Sequence, residues 1–149
     1  MREAYARLAD GYLPEAHNPF MQLEEATMLG LLPNVAGKTA LDVGCGTGRY
    51  LRLLQGRGAA LAIGLDLSAE MLGKAQGVAP IARADLRALP VATRRFDVVT
   101  SGLAIGHVAE LAAAVAEMAR VLIPGGVLLY SDFHPSARLA GHTRSFTVG

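Results

Sequence analysis

Residues Thr39-Ala-Leu-Asp-Val-Gly-Cys-Gly-Thr-Gly48 decide the fold. A short apolar run ends in three glycines spaced two apart, and a helix-like stretch follows. The pattern predicts a strand, a tight loop and a helix. Glycine lets a backbone turn sharply and approach a ligand where a Cβ would collide. The start of the next helix aims free N–H groups at the same point. A glycine-rich loop between strand and helix predicts a nucleotide-type site in a parallel α/β sheet. The alternative is a glycine-rich turn that holds no ligand.

The spacing narrows the ligand. The dinucleotide fingerprint is G-x-G-x-x-G, whereas this chain has Gly44-x-Gly46-x-Gly48 with Asp42 at the loop entrance. A carboxylate there repels a pyrophosphate. It suits a ligand with cationic groups and no phosphate, such as S-adenosylmethionine with its ammonium and sulfonium. Leu41-Asp-Val-Gly-Cys-Gly-Thr-Gly48 resembles the first motif of the class I S-adenosylmethionine-dependent methyltransferases. The resemblance covers about residues 36–135. It implies an α/β, Rossmann-like, doubly wound parallel sheet of strand order 3-2-1-4-5, preceded by N-terminal helices.

Composition sets the outer bounds. At 149 residues the chain is one domain by length. Apolar residues make up 52% of it, and the net charge is +1. Such a charge gives no push toward nucleic acid or a membrane surface. Arg94-Arg95 is the only basic pair and no basic patch is interleaved with aromatics, so a nucleic-acid partner is not expected. No run approaches a membrane span, and Met1-Arg-Glu-Ala-Tyr-Ala-Arg7 lacks an apolar signal core. The single cysteine, Cys45, makes no internal disulfide, which fits a reducing cytoplasm. It has no neighbouring zinc-ligand cysteine and reads as a small apolar side chain whose backbone N–H lies near the ligand.

Three segments follow: a helical cover over 1–35, the binding domain over 36–135 and a short tail over 136–149. A first helix is expected over 1–13 with Tyr5, Leu8 and Tyr12, ended by Pro14. Asn18-Pro19 reads as an N-cap followed by proline at the first helical position. That second helix runs to about Leu32, with Phe20, Leu23 and Met28 near helical spacing. Related methyltransferases carry such helices over the cofactor. Tyr5 and Tyr12 either line that cover or pack as ordinary aromatics. Strands are expected over 39–43, 60–65, about 81–84, 96–101 and 127–133. Helices are expected over 49–55, 68–76 and 108–121. On the last, Glu110, Glu117 and Arg120 form one narrow stripe, which predicts that nearly all the rest is buried. Pro124-Gly125-Gly126 reads as a turn.

Candidate site residues lie at strand ends. Asp66 closes the second strand, 18 residues past Gly48. A carboxylate there accepts two hydrogen bonds from a ribose diol. Its competing role, capping the next helix, is already filled by Ser68 with Glu70 in the first turn. In the family, Asp66-Leu67-Ser-Ala-Glu-Met71 sets the methionine beside adenine, where sulfur–aromatic contact is favourable; taken alone, Met71 also reads as core. Asp85-Leu-Arg-Ala-Leu-Pro90 resembles the family segment whose acid takes the adenine amino group. The next N–H, that of Leu86, meets a ring nitrogen there. Asp85 alone also reads as a turn aspartate. Ser101 and the loop 102–106 end the fourth strand, at the seam between cofactor and substrate.

Methyl transfer from a sulfonium is an in-line displacement. Alignment alone supplies up to about 7–11 kcal/mol, and a general base adds about 10²–10⁴ in rate. No metal constellation is evident. His107 is the titratable group just past the fourth strand, so it is the candidate base. It also reads as a solvated residue at a helix start. His134, after the fifth strand, is similarly placed but followed by Pro135, and Asp132 reads as readily as a structural cap.

The expected activity is methyl transfer from S-adenosylmethionine to a small molecule, leaving S-adenosylhomocysteine. The group it resembles includes quinone-pathway C-methyltransferases and carrier-protein carboxyl methyltransferases. Members of that class continue past the fifth strand with a helix and an antiparallel strand pair. Here sixteen residues run from His134 to Gly149, with Thr143-Arg-Ser-Phe-Thr-Val148 as a short strand at most. The strand pair is therefore expected to be absent and the fifth strand to be an open edge, which is a pairing liability. Homo-oligomerisation through that edge, a fragment, a partner chain and a catalytically silent cofactor-binding domain all remain open at this point.

Overall fold

The structure, a computed structural model, describes residues 11–134 together with Ser136 and Leu139. The helix expected over 1–13 falls almost wholly outside them, as do Tyr5 and most of the tail. Asn18 starts helix α1, Pro19–Leu31. Its side chain accepts the Met21 N–H at 2.9 Å, and Pro19 fills the first position, where no N–H is needed. The buried stripe of α1 is Met21, Glu24 and Met28. Phe20 and Leu23, expected on it, are exposed. The apolar pattern misleads because one buried position carries a carboxylate.

The central pattern forms as the sequence predicts. Strand β1, Thr39–Val43, leads through the glycine loop into α2, Arg49–Gly56. Strand β2, Leu61–Asp66, is followed by α3, Ala69–Ala75, capped by the Ser68 hydroxyl on the Met71 N–H. Strand β3, Ile81–Arg83, and strand β4, Phe96–Gly102, come next. A 3₁₀ turn, Ile105–His107, precedes α4, Leu111–Val121, and β5, Leu122–Ser131. The sheet order is β3-β2-β1-β4-β5, and every pairing between these strands is parallel. Among the described residues, no helix is long and apolar enough to cross a membrane.

Alternating residues of the strands feed two cores, as a sheet covered on both faces requires. Leu41, Val43, Leu65 and Val99 pack with Ala114, Met118 and Val121 of α4. Ala40, Ala62 and Val98 pack with Leu51 and Leu54 of α2 and Leu72 of α3. Each fully buried leucine contributes about 1.5–3 kcal/mol. Met28 joins Tyr50 and Leu129 in a third cluster, which seats α1 against β5.

Two expectations fail here. Helix α4 starts at Leu111, and of its residues Ala114, Met118 and Val121 are buried, rather than nearly all. One stripe suffices because one face alone meets the sheet. Glu117 and Arg120 grip the loop before β4 instead of facing water: Glu117 accepts the Leu89 N–H at 2.8 Å, and Arg120 donates to the Leu89 and Val91 carbonyls. The second failure is Pro124-Gly125-Gly126, which lies inside β5. Phe96 pairs with Leu122 but Val98 pairs with Val127, so β5 bulges between them. Proline and a left-handed glycine (Gly125, φ 80°) are tolerated in an edge strand at a bulge.

Candidate functional site

The glycine loop is wound by backbone bonds into left-handed geometry. Gly44, Gly46 and Gly48 have φ of 74°, 53° and 86°. The Gly44 and Cys45 N–H groups both donate to the Leu65 carbonyl, at 2.7 and 3.0 Å. The Cys45 N–H, expected near a ligand, is therefore engaged by β2. Its buried thiol is pushed up by desolvation and by the nearby Asp42 and Asp66.

Asp66 holds the loop from below. Its Oδ2 accepts the Gly46 N–H and its Oδ1 the Ser68 N–H, both at 2.8 Å. The carboxylate is thus not left free by Ser68, contrary to expectation. It ties the first loop to the start of α3, and each oxygen keeps further acceptor capacity. Burial raises its pKa, and the Ser68 and Gly46 N–H groups pull it back down.

Asp42 is 1% exposed. Its Oδ1 accepts the Thr100 hydroxyl across the β1–β4 pair at 2.8 Å. Its Oδ2 has no hydrogen-bond partner among the described residues. Burial pushes the carboxyl up to about 7, although the Thr100 bond and Arg49 favour the charged form. A buried acceptor oxygen without a partner is costly. Asp42 lines a cavity of about 180 Å³ at the carboxyl ends of β1, β2 and β4, where open α/β sheets bind ligands.

Most of the expected residues meet at this cavity: Asp42, Gly44, Cys45, Gly46, Asp66, Leu67, Met71, Asp85, Leu86 and His107. Two do not line it. Gly48 lies beneath, as the N-cap of α2, where an added Cβ would stand 3.4 Å from Ala75. Ser101 is fully buried, and its hydroxyl has no partner among the described residues. The strand alternates, so Thr100 faces Asp42 and Ser101 points to the opposite side. Asp85 accepts two hydrogen bonds from the Arg87 guanidinium and one from its N–H, and Arg87 also reaches Glu110 at 2.9 Å. His107 belongs to the 3₁₀ turn rather than to the start of α4, and is half-buried on the cavity wall.

Sequence reasoning missed Arg49 and Tyr50, which also line the cavity beside Tyr12, and it reached Leu103 and Ala104 only as part of the loop 102–106. Arg49 and Tyr50 had an available signal: they open the helix directly behind the glycine loop. Leu103 had none of its own. It takes a left-handed φ of 57°, rare for a side-chain-bearing residue and common at functional sites. Beneath these residues sits Glu24, which accepts from the Tyr50 hydroxyl at 2.8 Å, from Arg49 at 2.8 Å and from Ser131.

Comparison with known proteins meets this geometry. Residues 41–130, more than half of the chain, match the family described as Methyltransferase domain. An uncharacterised protein of Haemophilus influenzae is 38% identical over 124 residues, covering 76% of this chain and 49% of its own length. The malonyl-(acyl-carrier protein) O-methyltransferase of Enterobacter lignolyticus is 36% identical over 131 residues, covering 86% of this chain and 51% of the relative. Among solved structures, an S-adenosylmethionine-dependent methyltransferase from Mesorhizobium loti superposes with a TM-score of 0.71 at 34% identity. It covers 75% of this chain and 53% of that one. The chain spans about half the length of the curated relatives it matches. With the 3-2-1-4-5 sheet, the wound glycine loop and the matched span in agreement, the chain belongs to the methyltransferase domain family.

Proposed function

We propose that this protein is an S-adenosylmethionine-dependent methyltransferase acting on a small molecule. One observation carries the reading: Asp42 lines the cavity, and its buried Oδ2 has no hydrogen-bond partner among the described residues. Such an oxygen fits a cationic N–H donor and disfavours a phosphate. The methyl donor's ammonium is a donor of that kind. Asp66 would take the ribose hydroxyls, on the acceptor capacity its two backbone bonds leave. Met71 and Leu67 would flank the adenine, with Asp85 and the Leu86 N–H at its edge. When bound, the cofactor supplies a methyl group on a sulfonium. His107, on the wall beside Leu103, would accept a proton from the attacking group. Residues 1–35 would cover the site, and Tyr12 already lines it. A cytoplasmic setting accords with one buried, unpaired thiol.

The test is calorimetry with S-adenosylhomocysteine on wild type and Asp66→Ala. Wild type is expected to bind with micromolar Kd. The variant loses ligand bonds worth about 1.5–3 kcal/mol each, so affinity falls about 100-fold. A wild type that does not bind overturns the reading. Among the described residues β5 is an edge strand and carries the exposed Tyr130, which supports a second element of the proposal, self-association through that edge. Light scattering is expected to show a dimer. A monomeric mass across a wide concentration range removes that element and leaves the enzyme reading intact.

A further inference from the structure

We propose that Glu24 is a positioning residue: from α1, outside the cavity, it sets the wall formed by Arg49, Tyr50 and Leu103. Glu24 is 9% exposed, and desolvating a carboxylate costs several kcal/mol unless it is fully bonded. It is bonded on both oxygens. Oε2 accepts Arg49 at 2.8 Å, while Oε1 accepts the Tyr50 and Ser131 hydroxyls. An apolar residue would dock α1 with less desolvation, as Met21 and Met28 already do. What distinguishes Glu24 is where its partners go.

Arg49 and Tyr50 line the cavity themselves. Ser131 does not, but its hydroxyl accepts the Leu103 N–H at 3.1 Å, and its carbonyl accepts the same N–H at 3.0 Å. Leu103 is the strained residue of the cavity wall, and a left-handed leucine persists only where its surroundings hold it. The chain Leu103 N–H to Ser131 Oγ–H to Glu24 Oε1 is one part of that hold, beside the Ser131 carbonyl. The Tyr50 ring adds a second contact on the same loop. It lies so close to Gly102 that a Cβ there would stand 2.2 Å from Cε2. Releasing Glu24 therefore loosens the 102–103 loop twice and leaves the Arg49 guanidinium only its bond to Glu25 at 3.2 Å. Hydrogen-bonded networks of this kind act as units.

Amide exchange followed by NMR on the full chain tests this without a ligand. In Ser131→Ala the ion pair stays and the carbonyl bond stays, so the protein folds. Exchange at the Leu103 amide is expected to rise about tenfold while Val99 and Leu65 keep their protection. Glu24→Ala is expected to raise it further and to weaken S-adenosylhomocysteine about tenfold. Glu24→Gln keeps an acceptor for Ser131 but not the charge for Arg49. It should restore Leu103 protection and leave the affinity reduced. A residue that merely docks α1 would speed exchange within α1 and leave Leu103 unchanged, which would overturn the proposal. Should Glu24→Ala fail to fold, the other two variants decide. The affinity arm rests on the methyltransferase reading, and a wild type that binds nothing sinks that reading while the exchange arm still judges Glu24.

Discussion

Asp42→Asn is expected to make the ligand-free protein more stable above pH 7 and to weaken its ligand binding. The carboxyl has an ordinary value of 3.8 and is pushed to about 7 by complete burial. That gap corresponds to about 4 kcal/mol against the ionised form in the fold. The sign follows from proton counting. Below about pH 4 the folded and unfolded states both hold the proton, so ionisation costs nothing. Between about 4 and 7 the unfolded chain gives up its proton first, and stability falls as pH rises. Above about 7 the folded state is ionised too, and the whole penalty stands. Asparagine keeps an acceptor for the Thr100 hydroxyl and never ionises. Wild type and variant should therefore unfold alike near pH 4 and diverge progressively up to pH 8. Urea unfolding at pH 4, 6 and 8 measures this, and equal stability at pH 8 would contradict it.

The same titration governs affinity. A cationic donor at Oδ2 favours the charged carboxylate, so binding near pH 6 should release a proton. Wild-type affinity for S-adenosylhomocysteine should rise between pH 5 and 7. The variant should bind more weakly and without that slope. Calorimetry in buffers of different ionisation heat counts the proton directly. A buried carboxylate that destabilises the empty fold is the kind of compromise binding sites carry.

How much of this was legible in the sequence depends on range. The strand–loop–helix unit from Thr39 to Gly56 was readable because its signals are local: an apolar run, three glycines and a proline-free stretch. Asn18-Pro19 was readable for the same reason. The sheet order came through the family resemblance, not through periodicity. Local signals failed where distant parts decide. Glu24 and Ser131 lie 107 residues apart, so nothing near Glu24 marks it as a buried position. Ser101 was placed at the site by its position at a strand end, but the pairing of Asp42 with Thr100 fixes the alternation and turns it away. Asp85 was readable as a carboxylate at the cavity edge, and its Arg87 clamp two residues on was within reach of the same reading. The bulge in β5 was hidden because Pro-Gly-Gly signals a turn wherever strand partners are unknown.

Gly44→Ala is expected to damage both fold and site. Two separate costs meet at this position. Its φ of 74° lies in the left-handed region, which costs an L-residue about 1–2 kcal/mol. An added Cβ would also stand 2.3 Å from the Ala104 Cβ, far inside contact distance. Overpacking of that kind costs about 1–3 kcal/mol. Together the loss is about 3 kcal/mol, or about 10 °C in Tm for a chain of this size. The two costs are separable. Ala104→Gly removes the methyl that Gly44→Ala would strike, but it leaves the backbone strain. The double variant should therefore recover about half of the lost stability, and the double-mutant cycle should show coupling between the two positions. Ligand affinity should not recover in step. Ala104 and Leu103 line the same cavity, and a glycine at 104 loosens the backbone that holds Leu103 left-handed. If Ala104→Gly restored stability and affinity together, the approach of the two loops would be a packing contact alone, and the wall at 103–104 would carry no weight in binding.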